Sequence, residues 1–254
     1  CIRSGLFNIK NIGTELSRHI VQVRKRSGSY KSIIDFFTRM DDKLINKRQV
    51  EYFSMAGVFD SLKVERSVVY NSISSLLAIS QKSQKERDTN QQNLFGDELN
   101  NKNESVILNS NLAWNRTEFL MNEYFSLGYF ISENPLIKQR PYFKNFKLNN
   151  SISILENKVN GKIFELLGLL IKVEERNINN KKAMELFFLD EWGTFNLLIF
   201  NENEFFDKEF TKGETYIMTV IHSVDNERHM RLRFKSIRET NDFIEKISPF
   251  IKIY

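Results

Sequence analysis

Apolar side chains recur with helical spacing through the first third of the chain. Clear cases are Leu16 with Ile20 and Val50 with Phe53. Separations of three and four residues place such side chains on one face of a helix, so this region is predicted to form short amphipathic helices. Glycines fall between these segments rather than inside them, and a second helical block is predicted over 114–130.

From about Val159 the pattern becomes extended, with long apolar runs rich in aromatic and branched side chains. The segments that it predicts as strands are 163–173, 183–189, 195–200, 216–224 and 230–237. A tight turn is predicted at 190–193, and a short helix at 202–210. Five strands with a helix after the third is the order of the OB-fold, a small Greek-key barrel that binds single strands or oligosaccharides.

These patterns predict an α+β protein of several domains, with an all-α N-terminal part and a C-terminal five-stranded OB-fold β-barrel. The predicted segments are a helical domain at 1–87, a polar linker at 88–112, a helical connector at 113–154, the barrel at 155–240 and the start of a tail at 241–254.

The composition is that of a globular protein. Of its 254 residues, 41% are hydrophobic and 27% are charged, a balance too apolar for a disordered chain. One Cys and three His exclude a disulfide framework and the common zinc sites. No apolar run reaches the ~18 residues of a membrane span and no signal peptide begins the chain, so we expect a reduced, cytoplasmic protein. Because the chain begins with Cys1 rather than Met, we expect it to be part of a longer protein.

The net charge of +5 is unevenly distributed. Residues 1–87 contain 16 Lys and Arg against 8 Asp and Glu, a net +8, whereas 88–135 carry −5 and 136–254 carry +2. A concentration of cations on one domain indicates contact with a polyanion, so the first third is the predicted site of duplex DNA binding.

Two turns on this basic domain have the pattern of helix-hairpin-helix units, one at 9–13 before a helix from Thr14 and one at 56–60 between helices. Glycine lets the backbone turn sharply and approach a phosphate, which the N–H groups of the following helix then bind. The alternative is a pair of ordinary helix packings with glycine caps. The residues predicted to bind duplex DNA without sequence preference are Lys10, Asn11, Gly13, Lys47, Arg48 and Gly57.

A pentapeptide in the polar linker, Gln-Gln-Asn-Leu-Phe at 91–95, fits the Gln-x-x-Leu-Phe motif by which bacterial replication proteins dock on the sliding clamp. Two adjacent apolar side chains enter an apolar pocket, and the Gln amide forms hydrogen bonds at its rim. Gln91, Leu94 and Phe95 are therefore the predicted clamp-binding residues. The alternative is that Phe95 packs on the neighbouring helices.

The last predicted strand alternates cations with apolar residues, which indicates a basic stripe on one face. OB-folds bind single strands with such cations and with aromatic rings on which bases stack. The residues predicted to bind single-stranded DNA are Lys181, Lys182, Phe187, Trp192, Arg231 and Arg233. The alternative is that the rings are core and the cations only solvate the surface. Glu185 and Glu191 would repel a phosphate chain.

Taken together, the chain resembles the C-terminal region of the bacterial DNA polymerase III alpha subunit. The residues that carry the resemblance are 5–6, 9–13, 30–36, 46–48, 56–62, 91–96, 127–132, 134–136 and 189–193, before a strand that ends at Phe200. Asn8 and Asn134 depart from the Gly and His expected in the family.

The resemblance implies tandem helix-hairpin-helix units on duplex DNA, an internal clamp-binding peptide and an OB-fold near the single-stranded template. It also implies other replicase subunits as partners and a clamp-loader-binding tail after the barrel. The carboxylates that hold Mg²⁺ for phosphoryl transfer lie in the family's palm domain, so we expect no cofactor and no catalytic residues in this chain.

The function predicted from the sequence is that of a non-catalytic, DNA- and clamp-binding part of a replicative polymerase. One alternative is a standalone repair or replication accessory protein that tethers DNA. A second is an enzyme fragment, such as a nuclease or the RNA-binding OB-fold of a tRNA-charging enzyme. No acidic cluster with metal spacing and no glycine-rich nucleotide loop in the sequence supports the second alternative.

Overall fold

A computed structural model describes residues 5–89, 112–143, 146–156, 159–224 and 230–241. They belong to two compact units, 1–132 and 133–254. The predicted connector 113–154 is thus divided between the two units, with 113–132 in the first and 133–154 in the second. Within the described ranges, no helix is both long and apolar enough to cross a membrane.

The described part of the first unit is helical, as the periodicity predicts. Its helices are α1 (Thr14–Ser27), α2 (Ile33–Arg39), α3 (Lys47–Met55), α4 (Arg66–Asn71), α5 (Ile73–Asp88) and α6 (Arg116–Leu127), with 3₁₀ turns at Leu6–Asn8 and Asp60–Leu62. Asn46 and Asn115 begin α3 and α6 with capping boxes, in which the Asn side chain accepts the N–H of the residue three positions later.

Aromatic rings fill the core of the first unit. Phe36, Phe37, Phe53 and Phe59 are at most 3% exposed. The Phe36 and Phe59 rings meet edge to face with centroids 5.1 Å apart, a favourable arrangement for two π systems. Because Phe59 lies in the second predicted hairpin, its burial fixes that turn against α2 and α3.

The second unit contains short helices followed by a sheet. The helices are α7 (Pro135–Gln139) and α8 (Ser151–Leu155), with a 3₁₀ turn at Arg140–Phe143, and the strands are β1 (Ile163–Ile178), β2 (Lys181–Leu189), β3 (Thr194–Phe200), β4 (Thr215–Val224) and β5 (Met230–Glu239). The five strands occur in the predicted order, and β1 runs five residues further than its apolar pattern indicates.

The strands pair antiparallel in the order β3-β2-β1-β4-β5. This order confirms the prediction of a five-stranded, OB-like sheet. Strand β1 is bent by a bulge at Ile171, and its two halves pair with β4 and β2. The outer strands β3 and β5 contact each other. No ladder joins them among the described residues, so barrel closure stays a prediction.

The predicted tight turn between β2 and β3 is confirmed, and Asp190 holds it together. The buried Asp190 carboxylate accepts the N–H groups of Trp192 and Gly193, each at 2.8 Å. Its other oxygen accepts the N–H of Ser151 at 2.5 Å, which fixes the turn to the start of α8.

The predicted helix at 202–210 is wrong, because that segment consists of turns. Its hydrogen bonds join residues three apart, as from Phe206 N–H to the Asn203 carbonyl, and the Asn203 side chain accepts the N–H of Phe205. Phe205, Phe206 and Phe210 all pack against the sheet core. A helix does not form here for two reasons. The Asn203 side chain competes for a backbone N–H donor, and the three rings all pack toward the sheet core.

Candidate nucleic-acid interface

The first hairpin lies between the 3₁₀ turn Leu6–Asn8 and α1. Ile9 and Ile12 are each 6% exposed, and the N–H of Ile12 donates to the Ile9 carbonyl. Asn11 takes a positive φ of 63°, which Asn tolerates better than most residues. With both isoleucines buried, Lys10 and Asn11 are left exposed on the outer side of the turn.

Gly13 is the N-cap of α1 and has an extended backbone, with φ −77°. A Cβ built on Gly13 would meet nothing within 4 Å, and no side chain caps the helix. The first N–H groups of a helix have no carbonyl partner inside it and carry partial positive charge. The start of this 14-residue helix is therefore exposed and uncapped by any side chain, with Glu15 as the acidic residue of its first turn.

The second hairpin connects α3 to α4 through Gly57, whose φ is +76°. A Cβ on Gly57 would lie 2.4 Å from a guanidinium nitrogen of Arg66. Glycine is therefore required here by the packing of Arg66 as well as by the positive φ. Arg66 is the side chain that approaches the backbone of Gly57, and a phosphate contact at Gly57 stays a prediction.

Lys47 and Arg48 begin α3, whereas the Gly57 turn follows the end of the helix. At 1.5 Å per residue they lie about 12 Å from that turn along the helix axis. Both are exposed, and the Lys47 ammonium is 3.9 Å from a carboxylate oxygen of Glu51. Lys63, which follows the turn and has φ 57°, is exposed.

Arg66 joins the second hairpin to α6. Its guanidinium contacts Asp60 at 2.7 Å and Glu123 at 3.2 Å, and lies 4.4 Å from the centre of the Phe119 ring. Burial would lower the pKa of Arg66, but hydrogen bonds and charge from Asp60 and Glu123 raise it above its ordinary value. Arg66 is thus a fixed structural cation that supports the turn.

Glu123 is fully buried, and its carboxylate accepts four hydrogen bonds. The donors are the N–H of Ile131 at 2.7 Å, the N–H and hydroxyl of Ser132, each at 2.8 Å, and Arg66. Burial would raise the pKa of Glu123, but the hydrogen bonds from Ser132, Ile131 and Arg66 outweigh it and hold the pKa below its ordinary value.

The two hairpins meet on one face of α6. The backbone N–H of Lys10 donates to the Ser126 carbonyl at 2.9 Å, while Arg66 contacts Glu123. Residues 123 and 126 are three apart, so the two attachment points lie about 5 Å apart along the helix. The Lys10 ammonium also lies 5.8 Å from the centre of the Tyr124 ring.

The sequence interpretation missed Lys63, Arg66, Glu123 and Ser126. The contact from Arg66 to Glu123 spans 57 residues, and no local pattern in the sequence encodes such a pair. Lys63 gave a weak signal, as a cation directly after the predicted turn.

Of the residues predicted to bind single-stranded DNA, three lie on β2. Lys181 is paired with Glu202 at 2.6 Å, and Lys182 is exposed. Phe187 is half-buried, with the Lys172 ammonium 5.2 Å from its ring centre. Trp192 lies in the β2–β3 turn and is 63% exposed.

On β5 the predicted alternation is present. Arg233 is exposed, as is Lys235, whereas Leu232 and Phe234 pack against the core. Arg231 lies on the same strand, opposite Ser223.

The predicted residues on β2 and β5 lie at different heights along the central strand β1. Counted across the sheet, Arg233 is level with Ile163 of β1, whereas Phe187 is level with Lys172 of β1. Nine residues of strand separate these rows, about 30 Å along β1, so the two groups do not share one patch along that strand.

The predicted clamp-binding residues Gln91, Leu94 and Phe95 lie outside the described residues. The residues that are described contain no group of three or more His, Cys, Asp or Glu side chains arranged to hold a metal ion.

Comparison with known families and proteins agrees with the resemblance seen in the sequence. The family model of the helix-hairpin-helix motif matches residues 1–69. The DNA polymerase III subunit alpha of Rickettsia felis is 27% identical over 97% of the chain, and that of Borreliella burgdorferi is 29% identical over 80%. The corresponding subunit of Caulobacter vibrioides is 31% identical over 50%.

The chain spans at most about a fifth of the length of these relatives, namely 20%, 18% and 11%. Among solved structures, the p204 HINb domain matches 44% of the chain and 57% of its own, with a TM-score of 0.30 and 14% identity. That TM-score is too low to define the fold, which rests instead on the strand order of the sheet. The resemblance to the polymerase III alpha subunit is confirmed by the curated relatives.

Proposed function

Because the chain resembles bacterial DNA polymerase III alpha subunits over most of its length, we propose that it is a non-catalytic, DNA-binding part of a replicative polymerase. Its first unit binds duplex DNA through the two hairpins, without sequence preference. The observation that carries this proposal is the attachment of both turns to one face of α6, at Ser126 and Glu123, within a chain whose first 69 residues match the helix-hairpin-helix family.

The geometry of the first hairpin supports phosphate binding. The exposed start of α1 offers backbone N–H donors, the space beside Gly13 is open, and Lys10 lies three residues before Gly13 in the same turn. At the second hairpin Arg66 is already paired, so Lys63 is the cation available beside the turn. Contacts of this kind bind the backbone and read no bases.

We also propose that the linker motif at 91–95 docks on the sliding clamp and that the OB-like sheet contacts the single-stranded template. The motif and the resemblance support the first contact, and the strand order with exposed Trp192 and Arg233 supports the second. Other replicase subunits would then be further partners of the complete polymerase, which would work on the chromosome in the cytoplasm.

Duplex binding is tested by reversing the turn cations in the whole chain. We expect Lys10→Glu with Lys63→Glu to weaken duplex affinity about tenfold or more at low salt. The log–log salt dependence should flatten by about 0.9 per lost phosphate contact. The measurement is fluorescence anisotropy of a labelled duplex over a salt series.

The matched control is Lys82→Glu with Lys85→Glu, the same charge change on exposed residues of α5. A second arm, Lys47→Glu with Arg48→Glu, asks whether the start of α3 also contacts the duplex. If the turn variant binds like the α5 control, with the same salt slope, the hairpins have only a structural role.

A further inference from the structure

On the outer face of β1 and β2, the charged side chains pair with one another. Here this surface is called the β1–β2 face, and its members are Lys172, Glu174 and Arg176 on β1, Glu185 and Phe187 on β2, and Asn196 on β3. Glu174 lies directly opposite Glu185, and Lys172 lies opposite Phe187. Their neighbours Val173, Met184, Leu186 and Phe188 point the other way, into the core.

Each cation of this face is paired with a carboxylate. Arg176 contacts Glu185 at 2.9 Å and Glu174 at 2.6 Å, and Lys172 contacts Glu174. Asn196 donates its amide to the second oxygen of Glu185 at 2.5 Å. Two cations and two carboxylates leave no net charge, although two like charges lie opposite each other across the strands.

The aromatic ring of this face is also occupied. The Lys172 ammonium lies 5.2 Å from the centre of the Phe187 ring, within the range of a cation–π contact. A base that stacked on Phe187 would have to displace Lys172. A phosphate that reached Arg176 would have to compete with Glu185.

We propose that Glu185 is a specificity-determining residue that closes the β1–β2 face to polyanions. This inference rests on the proposed contact between the OB-like sheet and single-stranded DNA, because the face of strands 2 and 3 is where OB-folds bind nucleic acid. A single strand binds here by taking Arg176 from Glu185, the less exposed of its two carboxylate partners, so the face admits DNA only weakly.

Glu185 is the member that controls the network. Its side chain is 13% exposed, against 28% for Glu174 and 50% for Arg176. Both of its oxygens are used, one by Arg176 and one by Asn196. Removing its charge breaks one of the two ion pairs of Arg176 and lowers the repulsion of a nearby phosphate, while Glu174 stays in place.

The direct test is Glu185→Gln in the whole chain, with a fluorescein-labelled oligo-dT of about 30 nucleotides as the probe, which exceeds the site size of one OB-fold. We expect single-strand affinity to rise about three- to tenfold near 0.1 M salt. The log–log salt dependence should steepen by about 0.7, the value for one added phosphate contact with a single strand. Gln keeps the acceptor for Asn196, and unaltered circular dichroism checks the fold.

Glu175→Gln is the matched control. Glu175 is exposed on the same strand and pairs with Met184, so it alternates to the other side of β1 from Glu174 and Arg176. The charge change is identical, so a purely global effect would raise affinity equally in both variants. Adding Arg176→Gln to Glu185→Gln should remove the gain if the freed guanidinium produces it.

Equal single-strand affinity for Glu185→Gln and Glu175→Gln would overturn the proposal, and so would a gain that survives loss of Arg176. Absence of single-strand binding in every variant would overturn it as well, because the opened face would then bind nothing. Duplex binding is measured on the same samples and responds to Lys10 and Lys63, so failure of the hairpin proposal is recognised separately.

Discussion

Glu123 is a fully buried charged residue that joins α6 to the second hairpin through Arg66. A buried carboxylate costs free energy unless hydrogen bonds satisfy it, and this one has four donors, one of them Arg66. Because its pKa is held below the ordinary value, the folded state binds its proton less readily than the unfolded chain. Its contribution to stability is therefore present at neutral pH and is lost as pH falls through the folded pKa.

Glu123→Gln should lower the free energy of unfolding of the first unit by roughly 2 kcal/mol at pH 7, because Arg66 and the loop N–H groups lose their charged partner. The difference from the parent should shrink as pH falls below 4.5, the ordinary value. Unfolding in urea is followed by the fluorescence of Trp114 in a Trp192→Phe background, since the chain has two tryptophans.

Glu118→Gln is the control for this experiment. Glu118 is exposed on the same helix and closes the capping box of α6, which Gln can also do. A loss of stability that stays constant from pH 7 to below 4.5 would contradict the charge-based explanation, and so would equal stability of the two variants.

At the scale of elements, the sequence predicted those whose pattern is local. The alternation on β5 is such a case, because Leu232 and Phe234 face the core and Arg233 faces solvent. The turn at 190–193 is another. The helix predicted at 202–210 was wrong because the spacing of its aromatic residues resembles that of a helix. The Asn203 side chain instead accepts the N–H of Phe205 and stabilises a turn.

The hairpins show the same limit. The sequence indicated both glycine turns, but it could not reveal that Arg66 occupies the space beside Gly57, since that packing also requires Glu123 from α6. Nor could it reveal that a carboxylate of β2 neutralises Arg176 of β1. Partners that are distant in sequence are set by topology, which local patterns do not encode.

The two hairpin glycines should therefore respond differently to alanine. Gly57→Ala should cost at least about 1–2 kcal/mol of stability, because φ is positive and a Cβ would overlap Arg66. Gly13→Ala should cost less than about 1 kcal/mol, since its φ is ordinary and the space is open.

Duplex affinity separates the roles of these glycines. If a phosphate approaches the backbone at Gly13, a methyl group there should weaken duplex binding several-fold while the urea midpoint scarcely moves. Wild-type affinity in Gly13→Ala would exclude such an approach. Gly57→Ala, measured where it is fully folded, shows how much affinity is lost through the turn structure alone.

At the scale of the whole molecule, the charge is divided among segments with different proposed partners. The +8 of residues 1–87 belongs with the helical unit, and the −5 of 88–135 covers the proposed clamp-binding motif and α6. Residues 136–254, which contain the OB-like sheet, are nearly balanced at +2, and on the β1–β2 face each cation pairs with a carboxylate. The modest total of +5 thus results from segments of opposite sign.

This division predicts bivalent binding on DNA that carries a sliding clamp. Once the hairpins hold the duplex, docking of residues 91–95 on the clamp becomes an intramolecular step, because the motif follows α5 by only a few residues. Such linkage raises overall affinity by about a hundredfold or more without any new contact. We therefore expect the chain to bind clamp-loaded circular DNA about a hundredfold more tightly than the same DNA without a bacterial clamp.

Leu94→Ala with Phe95→Ala should remove this gain and leave affinity for bare DNA unchanged. Val106→Ala with Ile107→Ala, the same kind of change at another apolar pair of the linker, should keep it. A gain that persists without Leu94 and Phe95 would mean that another surface contacts the clamp.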